Sequence, residues 1–126
     1  MISKRVLVVD DEQNSREGLS KILTKEGYTV HTAENGKKAL IEAENNNFDL
    51  IITDLRMPEM DGIEVLEKLR KKNKNIGVVI VTAYGEVNSY LKAMNLGAFE
   101  YLNKPIHLEE LRRVINKALR ESPRVS

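Results

Sequence analysis

The sequence predicts an α/β domain in which a five-stranded parallel sheet carries five helices on its two faces. Three observations lead to this fold class. Five short runs of apolar and β-branched residues alternate with five segments whose apolar residues recur at helical spacing. Strands that alternate with helices are typical of parallel sheets joined by right-handed crossovers. At 126 residues the chain is long enough for one domain with a substantial hydrophobic core.

The predicted strands differ in how deeply they should be buried. The first, third and fourth runs are continuous and apolar, as expected for strands covered on both faces. The second and fifth runs are more polar and are expected nearer to the edges of the sheet. In chain order the predicted strands span residues 6–9, 28–32, 50–53, 78–81 and 99–102.

Each predicted strand is followed by a segment with the period of an amphipathic helix. Gly27 and Gly97 stand where helices should end, and Asp61 or Asp49 stands where a turn or a helix cap fits. The five apolar stripes are Leu19, Ile22 and Leu23; Ala39, Leu40 and Ala43; Val65, Leu66 and Leu69; Val87, Tyr90, Leu91 and Met94; and Leu108, Leu111, Val114, Ile115, Ala118 and Leu119.

Composition excludes several classes of function. Lysine and arginine number 20, aspartate and glutamate number 19, and the formal net charge is only +1. This balance argues against direct nucleic acid binding and against a polybasic membrane anchor. The chain has no cysteine, which excludes disulfides, thiol catalysis and thiolate metal sites.

Location and domain limits can also be predicted. The longest unbroken apolar runs, at residues 6–9 and 78–81, are too short to cross a bilayer. Because the first residues lack the pattern of a signal peptide, we expect a cytoplasmic protein. We expect residues 1–121 to form the domain and residues 122–126 to begin a linker or form a C-terminal tail.

Polar residues follow four of the predicted strands. Asp10 and Asp11 come after the first strand, Asp54 after the third, Thr82 after the fourth and Lys104 after the fifth. Ligands of open parallel sheets bind at the carboxyl ends of the strands, so these side chains should converge. An acid after a strand is also a common helix N-cap, but the combination of the four positions favours a site.

The predicted cluster requires a counter-charge. Two carboxylates about 4 Å apart repel by roughly 4 kcal/mol at an effective dielectric near 20. Protonation, Lys104 or a divalent cation can relieve this repulsion. Oxygen ligands without histidine or cysteine suit Mg²⁺, with Mn²⁺ as the second choice. One carboxylate could then act as a nucleophile and form an aspartyl-phosphate.

Four motifs in chain order resemble those of one known family. They are V-V-D-D-E at residues 8–12, D-L-R-M-P-E-M-D-G at 54–62, V-T-A-Y-G at 81–85 and Y-L-N-K-P at 101–105. Together they resemble the receiver domain of two-component response regulators, the CheY-like family, over about residues 4–121. The residues of these motifs are most similar to those of receivers in nitrogen-regulation-type transcriptional activators. The resemblance implies a flavodoxin-like (βα)5 fold with strand order 2-1-3-4-5.

The resemblance also implies how the phosphoryl group is received. Asp54 matches the phosphoacceptor. Asp10 and Asp11 match the acidic Mg²⁺ ligands, which Asp54 and the backbone carbonyl of Arg56 complete. Lys104 matches the cation that contacts the phosphoryl group, and in this family a cis peptide joins it to the following proline.

Two further residues match the family's switch. Thr82 matches the hydroxyl that moves to bind the phosphoryl oxygen, and Tyr101 matches the aromatic side chain that changes rotamer with it. The resemblance therefore implies a phosphorylation-activated switch. Phosphorylation would change the surface formed by the fourth helix, the fifth strand and the fifth helix. It implies self-catalysed phosphorylation and dephosphorylation, without turnover of a free substrate.

The expected partners follow from the same resemblance. A sensor histidine kinase or a phosphotransfer protein is the implied phosphoryl donor, and a C-terminal ATPase and DNA-binding module beyond these residues is the implied output. Charges of both signs on the fourth and fifth helices also allow a homodimer through that face; they are Lys92, Glu109, Glu110, Arg112 and Arg113.

Two alternative functions are open on the sequence alone. A Mg²⁺-dependent phosphohydrolase with an aspartyl nucleophile would use the same cluster. Such enzymes need an acid two residues after the nucleophile and a cap domain, whereas this chain has Arg56 and is short. A pseudo-receiver that only binds partners is the second alternative, although such proteins lose one of the acid, threonine or lysine positions.

Overall fold

The computed structural model describes residues 3–72 and 74–120, and its five strands and five helices alternate as the sequence predicts. The strands are β1 (Arg5–Val9), β2 (Thr29–Ala33), β3 (Leu50–Asp54), β4 (Gly77–Thr82) and β5 (Glu100–Asn103). The helices are α1 (Gln13–Lys25), α2 (Gly36–Asn45), α3 (Gly62–Lys71), α4 (Val87–Asn95) and α5 (Leu108–Arg120). The predicted tail at 122–126 lies outside the described residues.

The strands form one parallel sheet in the order β2-β1-β3-β4-β5, which confirms the predicted strand order. The three apolar strands are central, and the two more polar strands lie at the edges. This placement follows from burial. A central strand must be apolar on both faces, whereas an edge strand keeps part of its backbone and side chains near water.

Two apolar layers cover the sheet, one on each face. Successive residues of a strand point to opposite faces, so Leu7 and Val9 enter one layer while Val6 and Val8 enter the other. The first layer is completed by α2, α3 and α4, for example through Leu66. The second layer is completed by α1 and α5. The strands are therefore enclosed along most of their length, and their carboxyl ends form an accessible edge.

Helix ends agree with the sequence in part. Gly27 and Gly97 adopt φ values of 98° and 83°, a conformation that glycine reaches without steric cost. Asp61 caps α3 by accepting a hydrogen bond from the Glu64 N–H at 2.9 Å. Asp49 lies at a bend directly before β3, where its carboxylate accepts a hydrogen bond from the N–H of Arg5 at 2.8 Å.

Of the apolar stripe predicted for α4, only Met94 packs against the core, and it is partly buried. Val87, Tyr90 and Leu91 are all exposed, and Val87 keeps 73% of its surface accessible. The residue that α4 buries is Ala93, whose small side chain lets the helix approach the sheet. The spacing of these residues predicts the helix, but a short stripe does not show which side of the helix faces the core.

None of the helices in residues 3–72 and 74–120 is both long and apolar enough to cross a membrane.

Gly62, the first residue of α3, allows the loop after β3 to fold tightly. Its N–H donates to the carbonyl of Leu55 at 2.9 Å. A Cβ at this position would lie 2.5 Å from the carbonyl oxygen of Asp54 and 3.2 Å from the Cα of Leu55. Both of these contacts are with backbone atoms, so a larger residue would have to displace the end of β3.

We predict that Gly62→Ala lowers the free energy of unfolding by about 1–3 kcal/mol, the usual cost of overpacking. Gly18→Ala is the matched control, because Gly18 lies within α1 and a Cβ there meets no atom within 4 Å. Gly18→Ala should raise the free energy of unfolding by about 0.5–1 kcal/mol, because alanine is favoured over glycine within a helix. Urea denaturation measures both changes. Equal changes in the free energy of unfolding for the two variants would show that the close approach of α3 to the end of β3 does not require Gly62.

Candidate functional site

The strand register aligns the predicted site residues at one edge of the sheet. Val9 pairs with Thr53, so Asp10 and Asp54 occupy the next position along β1 and β3. Thr82 ends β4 and pairs with Asn103 at the end of β5, directly before Lys104. Four neighbouring strands therefore present their last residues, or the residues that follow them, at the same edge.

Three carboxylates converge at this edge. One oxygen from each of Asp10, Asp11 and Asp54 lies within 4.8 Å of the others. Asp10 is buried with 7% of its surface exposed, Asp54 is half-buried, and Asp11 is exposed. No other group of three acidic or histidine side chains in the described residues is arranged in this way. The predicted convergence is thus present in the structure.

Lys104 lies between the two less accessible carboxylates. Its Nζ is 3.4 Å from Oδ2 of Asp10 and 3.4 Å from Oδ2 of Asp54. Burial by itself would lower the pKa of Lys104, but the attraction and hydrogen bonds of Asp10 and Asp54 raise the pKa above its ordinary value. Lys104 is therefore a firmly charged ammonium shared by two carboxylates, and both contacts are long for charged groups.

Asp54 carries an electrostatic cost in this arrangement. Burial raises the pKa of its carboxyl above the ordinary value, and the charge of Asp10 raises the pKa further. Lys104 opposes these effects without cancelling them. Three carboxylates gather around one ammonium group, so the cluster keeps a net negative charge when the acids are ionised, and a further positive charge would be bound favourably.

Local hydrogen bonds hold the first loop in place. The N–H of Asp10 donates to the carbonyl of Ala33 at 3.2 Å, and the Arg16 Nη1 donates to the Asp10 carbonyl at 2.8 Å. Oδ1 of Asp10 accepts from the N–H of Glu12 at 3.0 Å, which leaves Oδ2 facing Lys104. Glu12 in turn caps α1. Sequence reasoning missed these supporting contacts.

Thr82 is fully buried, and its hydroxyl is already engaged. Its Oγ1 accepts a hydrogen bond from the Tyr84 N–H at 2.9 Å. Its carbonyl accepts from the N–H of Lys104 at 2.8 Å, which ties the ends of β4 and β5 together. The peptide bond between Lys104 and Pro105 is cis.

Tyr101 joins the sheet to α4. The Tyr101 hydroxyl lies 2.8 Å from the hydroxyl of Ser89, and its ring meets that of Tyr90 edge-on with centroids 5.5 Å apart. Ser89 was not singled out from the sequence. Its position as the third residue of α4 gave no indication of this contact, because the partner lies on a different element.

Arg56 extends from the loop after β3 towards the segment before α4. Its side chain is exposed, forms an ion pair with Glu86, and lies over the ring of Tyr84 at 5.9 Å from the centroid. The resemblance implies that the backbone carbonyl of Arg56 is a metal ligand, and that role stays a prediction. The ion pair is an additional feature that the structure reveals.

An apolar cavity of about 260 Å³ lies beside the acidic cluster. Leu19 and Ile22 of α1, with Ile106 and Leu111 from the segment around the start of α5, contribute to its wall. Asp10, Asp54 and Lys104 line the same cavity. The sequence did not predict it, because its walls come from elements that are distant along the chain.

The donor set fits a hard divalent cation. Carboxylate oxygens are the ligands that Mg²⁺ and Mn²⁺ prefer, and two of the three acids are held at strand ends. The uncompensated charge around Asp54 favours a cation further, and the exposed Asp11 leaves the cluster open to solvent. Asp10, Asp11 and Asp54 are thus able to hold such an ion.

Comparison with known proteins agrees with this geometry. The response regulator receiver domain family matches residues 6–116. Sporulation initiation phosphotransferase F of Bacillus subtilis is 37% identical over 119 residues, which are 94% of this chain and 96% of that protein. Regulatory protein AtoC of Escherichia coli is 41% identical over 115 residues, which are 91% of this chain. The chain spans only 25% of the length of AtoC.

Solved structures give the same result. A CheY-like receiver domain protein from Methanospirillum hungatei has a TM-score of 0.91 and 33% identity, covering 95% of this chain and 96% of that one. Response regulator protein TrrA from Thermotoga maritima, in complex with Mg²⁺ and BeF, has a TM-score of 0.84 and 43% identity, covering 92% and 99%. The chain therefore belongs to the response regulator receiver domain family.

Proposed function

We propose that this chain is a phosphorylation-activated switch of a two-component system and that Asp54 is its phosphoacceptor. The observation that carries this proposal is the sharing of Lys104 by Asp10 and Asp54. Of these two carboxylates, Asp10 is buried and has its other oxygen occupied by Glu12. The two side chains are similarly exposed, 12% for Asp54 and 10% for Asp10, so Asp54 is favoured as the nucleophile by the occupied Oδ1 of Asp10 and by its place in the receiver family's motif.

The proposed reaction is transfer of a phosphoryl group from a phosphohistidine. An oxygen of Asp54 forms a bond to phosphorus while the bond from phosphorus to the imidazole nitrogen breaks, and the imidazole leaves with a proton from solvent. The Asp54 carboxylate needs no general base, since the reacting form is already ionised. Lys104 provides a fixed positive charge for the phosphoryl oxygens.

A divalent cation would be held by Asp10, Asp11, Asp54 and the backbone carbonyl of Arg56. Mg²⁺, or Mn²⁺ in its place, supplies charge neutralisation for the phosphoryl oxygens when it is bound. Asp11 keeps the cluster anionic at the solvent side, while Asp10 is held by the loop hydrogen bonds around it. The support for this part of the proposal is the donor set and its uncompensated charge.

Thr82 and Tyr101 are proposed to carry the response. A phosphoryl group adds about −1.5 to −2 charges, which gives the Thr82 hydroxyl a new acceptor. To turn towards it, the hydroxyl must give up the N–H of Tyr84. A Tyr101 ring that turns inward must give up Ser89, so the change would reach α4. Phosphorylation can shift this equilibrium only by binding the two states differently.

The wider function is also a proposal. The relatives AtoC and ZraR are named as a regulatory and a transcriptional regulatory protein, and this chain matches about a quarter of each, which supports an output in transcription. A C-terminal ATPase and DNA-binding module as the output stays a prediction. A sensor histidine kinase or phosphotransfer protein would be the donor. Self-catalysed phosphorylation, a homodimer through α4 and α5, and a cytoplasmic location stay predictions.

We predict that Asp54→Asn abolishes labelling of the protein by a small acyl phosphate in the presence of Mg²⁺. The amide is nearly isosteric with the carboxyl group but lacks its nucleophilic oxygen anion, so the fold should survive. Intact-mass spectrometry measures the added phosphoryl group.

Asp61→Asn is the matched control for this variant. Asp61 lies on the same loop, and asparagine caps helices as well as aspartate does. Labelling should therefore persist in Asp61→Asn. Labelling that persists in Asp54→Asn would assign the phosphoacceptor to another residue.

We also predict that Asp54→Asn stabilises the metal-free protein at neutral pH. The pKa of Asp54 is raised in the folded state, so the folded chain binds this proton more tightly than the unfolded chain. At a pH above the pKa of Asp54 in the folded state, the ionised carboxylate therefore lowers the free energy of unfolding. This destabilisation disappears at a pH below the pKa of Asp54 in the unfolded chain. Urea denaturation in a chelator should show an advantage of Asp54→Asn that closes as the solution is acidified. An advantage that widens on acidification would contradict the raised pKa.

A further inference from the structure

Helices α1 and α4 both begin after a glutamate, but the two glutamates behave differently. Glu12 is the N-cap of α1 and accepts from the N–H groups of Asn14 and Ser15 at 2.9 and 3.0 Å. Glu86 is the N-cap of α4 and makes no side-chain cap hydrogen bond. Its backbone is nevertheless in the extended N-cap conformation, with φ −132° and ψ 149°. Only rotation of the Glu86 side chain is needed for capping.

Arg56 accounts for the difference. The Glu86 carboxylate forms its ion pair with the Arg56 guanidinium, and the same guanidinium lies over the ring of Tyr84. Arg56 is two residues beyond Asp54 on the loop that follows β3. The side chain that could cap α4 is therefore drawn towards the loop that carries the phosphoacceptor.

The first turn of α4 is also connected to Tyr101. The Ser89 hydroxyl donates to the carbonyl of Glu86 at 3.0 Å and lies 2.8 Å from the hydroxyl of Tyr101. Ser89 is the third residue of α4, and its N–H is among those that a capping Glu86 would satisfy. One helical turn thus joins the Arg56–Glu86 pair to the aromatic side chain proposed to switch.

We propose that Glu86 is a positioning residue with two alternative partners, Arg56 before phosphorylation and the first turn of α4 after it. This inference rests on the proposed phosphorylation of Asp54. The added negative charge competes with Glu86 for the Arg56 guanidinium, and the released carboxylate caps α4. The first turn of α4 becomes more ordered as a result.

The energetic balance suits a switch. An exposed ion pair and an N-cap hydrogen bond contribute similar, small amounts to stability. Both Arg56 and Glu86 are more than half exposed, so neither partner is locked by burial. A charge introduced at Asp54, two residues before Arg56, can therefore decide between the two arrangements.

Amide hydrogen exchange of Asn88 and Ser89, followed by NMR, tests the proposal. Arg56→Gln should slow exchange at these amides by about fivefold without any phosphorylation, the factor expected from one N-cap hydrogen bond. Loading the parent protein with Mg²⁺ and beryllium fluoride, a phosphoryl mimic, should have a similar effect. Glu86→Ala should abolish the effect of loading, because alanine cannot cap.

Two controls make the result specific. Lys72→Gln breaks the exposed pair of Lys72 with Glu44, which lies elsewhere, and should leave the α4 amides unchanged. Glu12→Ala should speed exchange at Asn14 and Ser15, which shows that the assay detects a glutamate cap.

The outcomes separate this proposal from the proposed function. Unchanged exchange in Arg56→Gln overturns the competition for Glu86. In a second outcome, loading with beryllium fluoride shifts the NMR signals of Asp54 and Thr82 while amide exchange at Ser89 stays unchanged. That result overturns the proposed change of partner by Glu86 but agrees with Asp54 as the phosphoacceptor. Failure of beryllium fluoride to affect Asp54 counts against the proposed function itself.

Discussion

The sharing of one ammonium group by two carboxylates is the interaction on which the rest of the site depends. Lys104 approaches Asp10 and Asp54 equally and at long range, so neither acid is fully compensated. The parallel sheet imposes this crowding, because β1 and β3 are adjacent and end at the same level. Asp11 adds a third negative charge on the solvent side. A site built in this way favours an added cation and suits the proposed transfer of a phosphoryl group beside a fixed positive charge.

The loops around this cluster are short and held by backbone contacts, a geometry that suits the proposed transmission of a change at Asp54. Gly62 packs directly on the end of β3, and the Thr82 hydroxyl is bound by the Tyr84 N–H. Beyond them lies α4, which buries little apart from Ala93 and contacts Tyr101 through Ser89. A rigid strand edge is thus joined to a weakly packed helix. Helices of this kind are the ones that can change position at low cost.

The resemblance to the receiver family predicted the strand order. Apolar periodicity and strand ends are local features of the sequence, and they predicted the edge strands and the convergence of Asp10, Asp11, Asp54 and Lys104. The orientation of α4 was not predictable, since its exposed residues have the same spacing as a buried stripe. The Arg56–Glu86 pair, the Ser89 contact and the cavity beside α1 depend on loop conformations and on residues far apart along the chain. Physical reasoning on one sequence does not determine such contacts.

Thermal unfolding with and without saturating Mg²⁺ tests most directly whether the carboxylate cluster is a cation site. At roughly 100 times its Kd, the ion should stabilise the folded chain by about 2.7 kcal/mol and raise the unfolding midpoint accordingly. The increase should persist in Asp61→Asn and be strongly reduced in Asp11→Asn, which removes an exposed ligand without disturbing the core. An unchanged midpoint in the parent protein, or an equal increase in Asp11→Asn, would contradict the account.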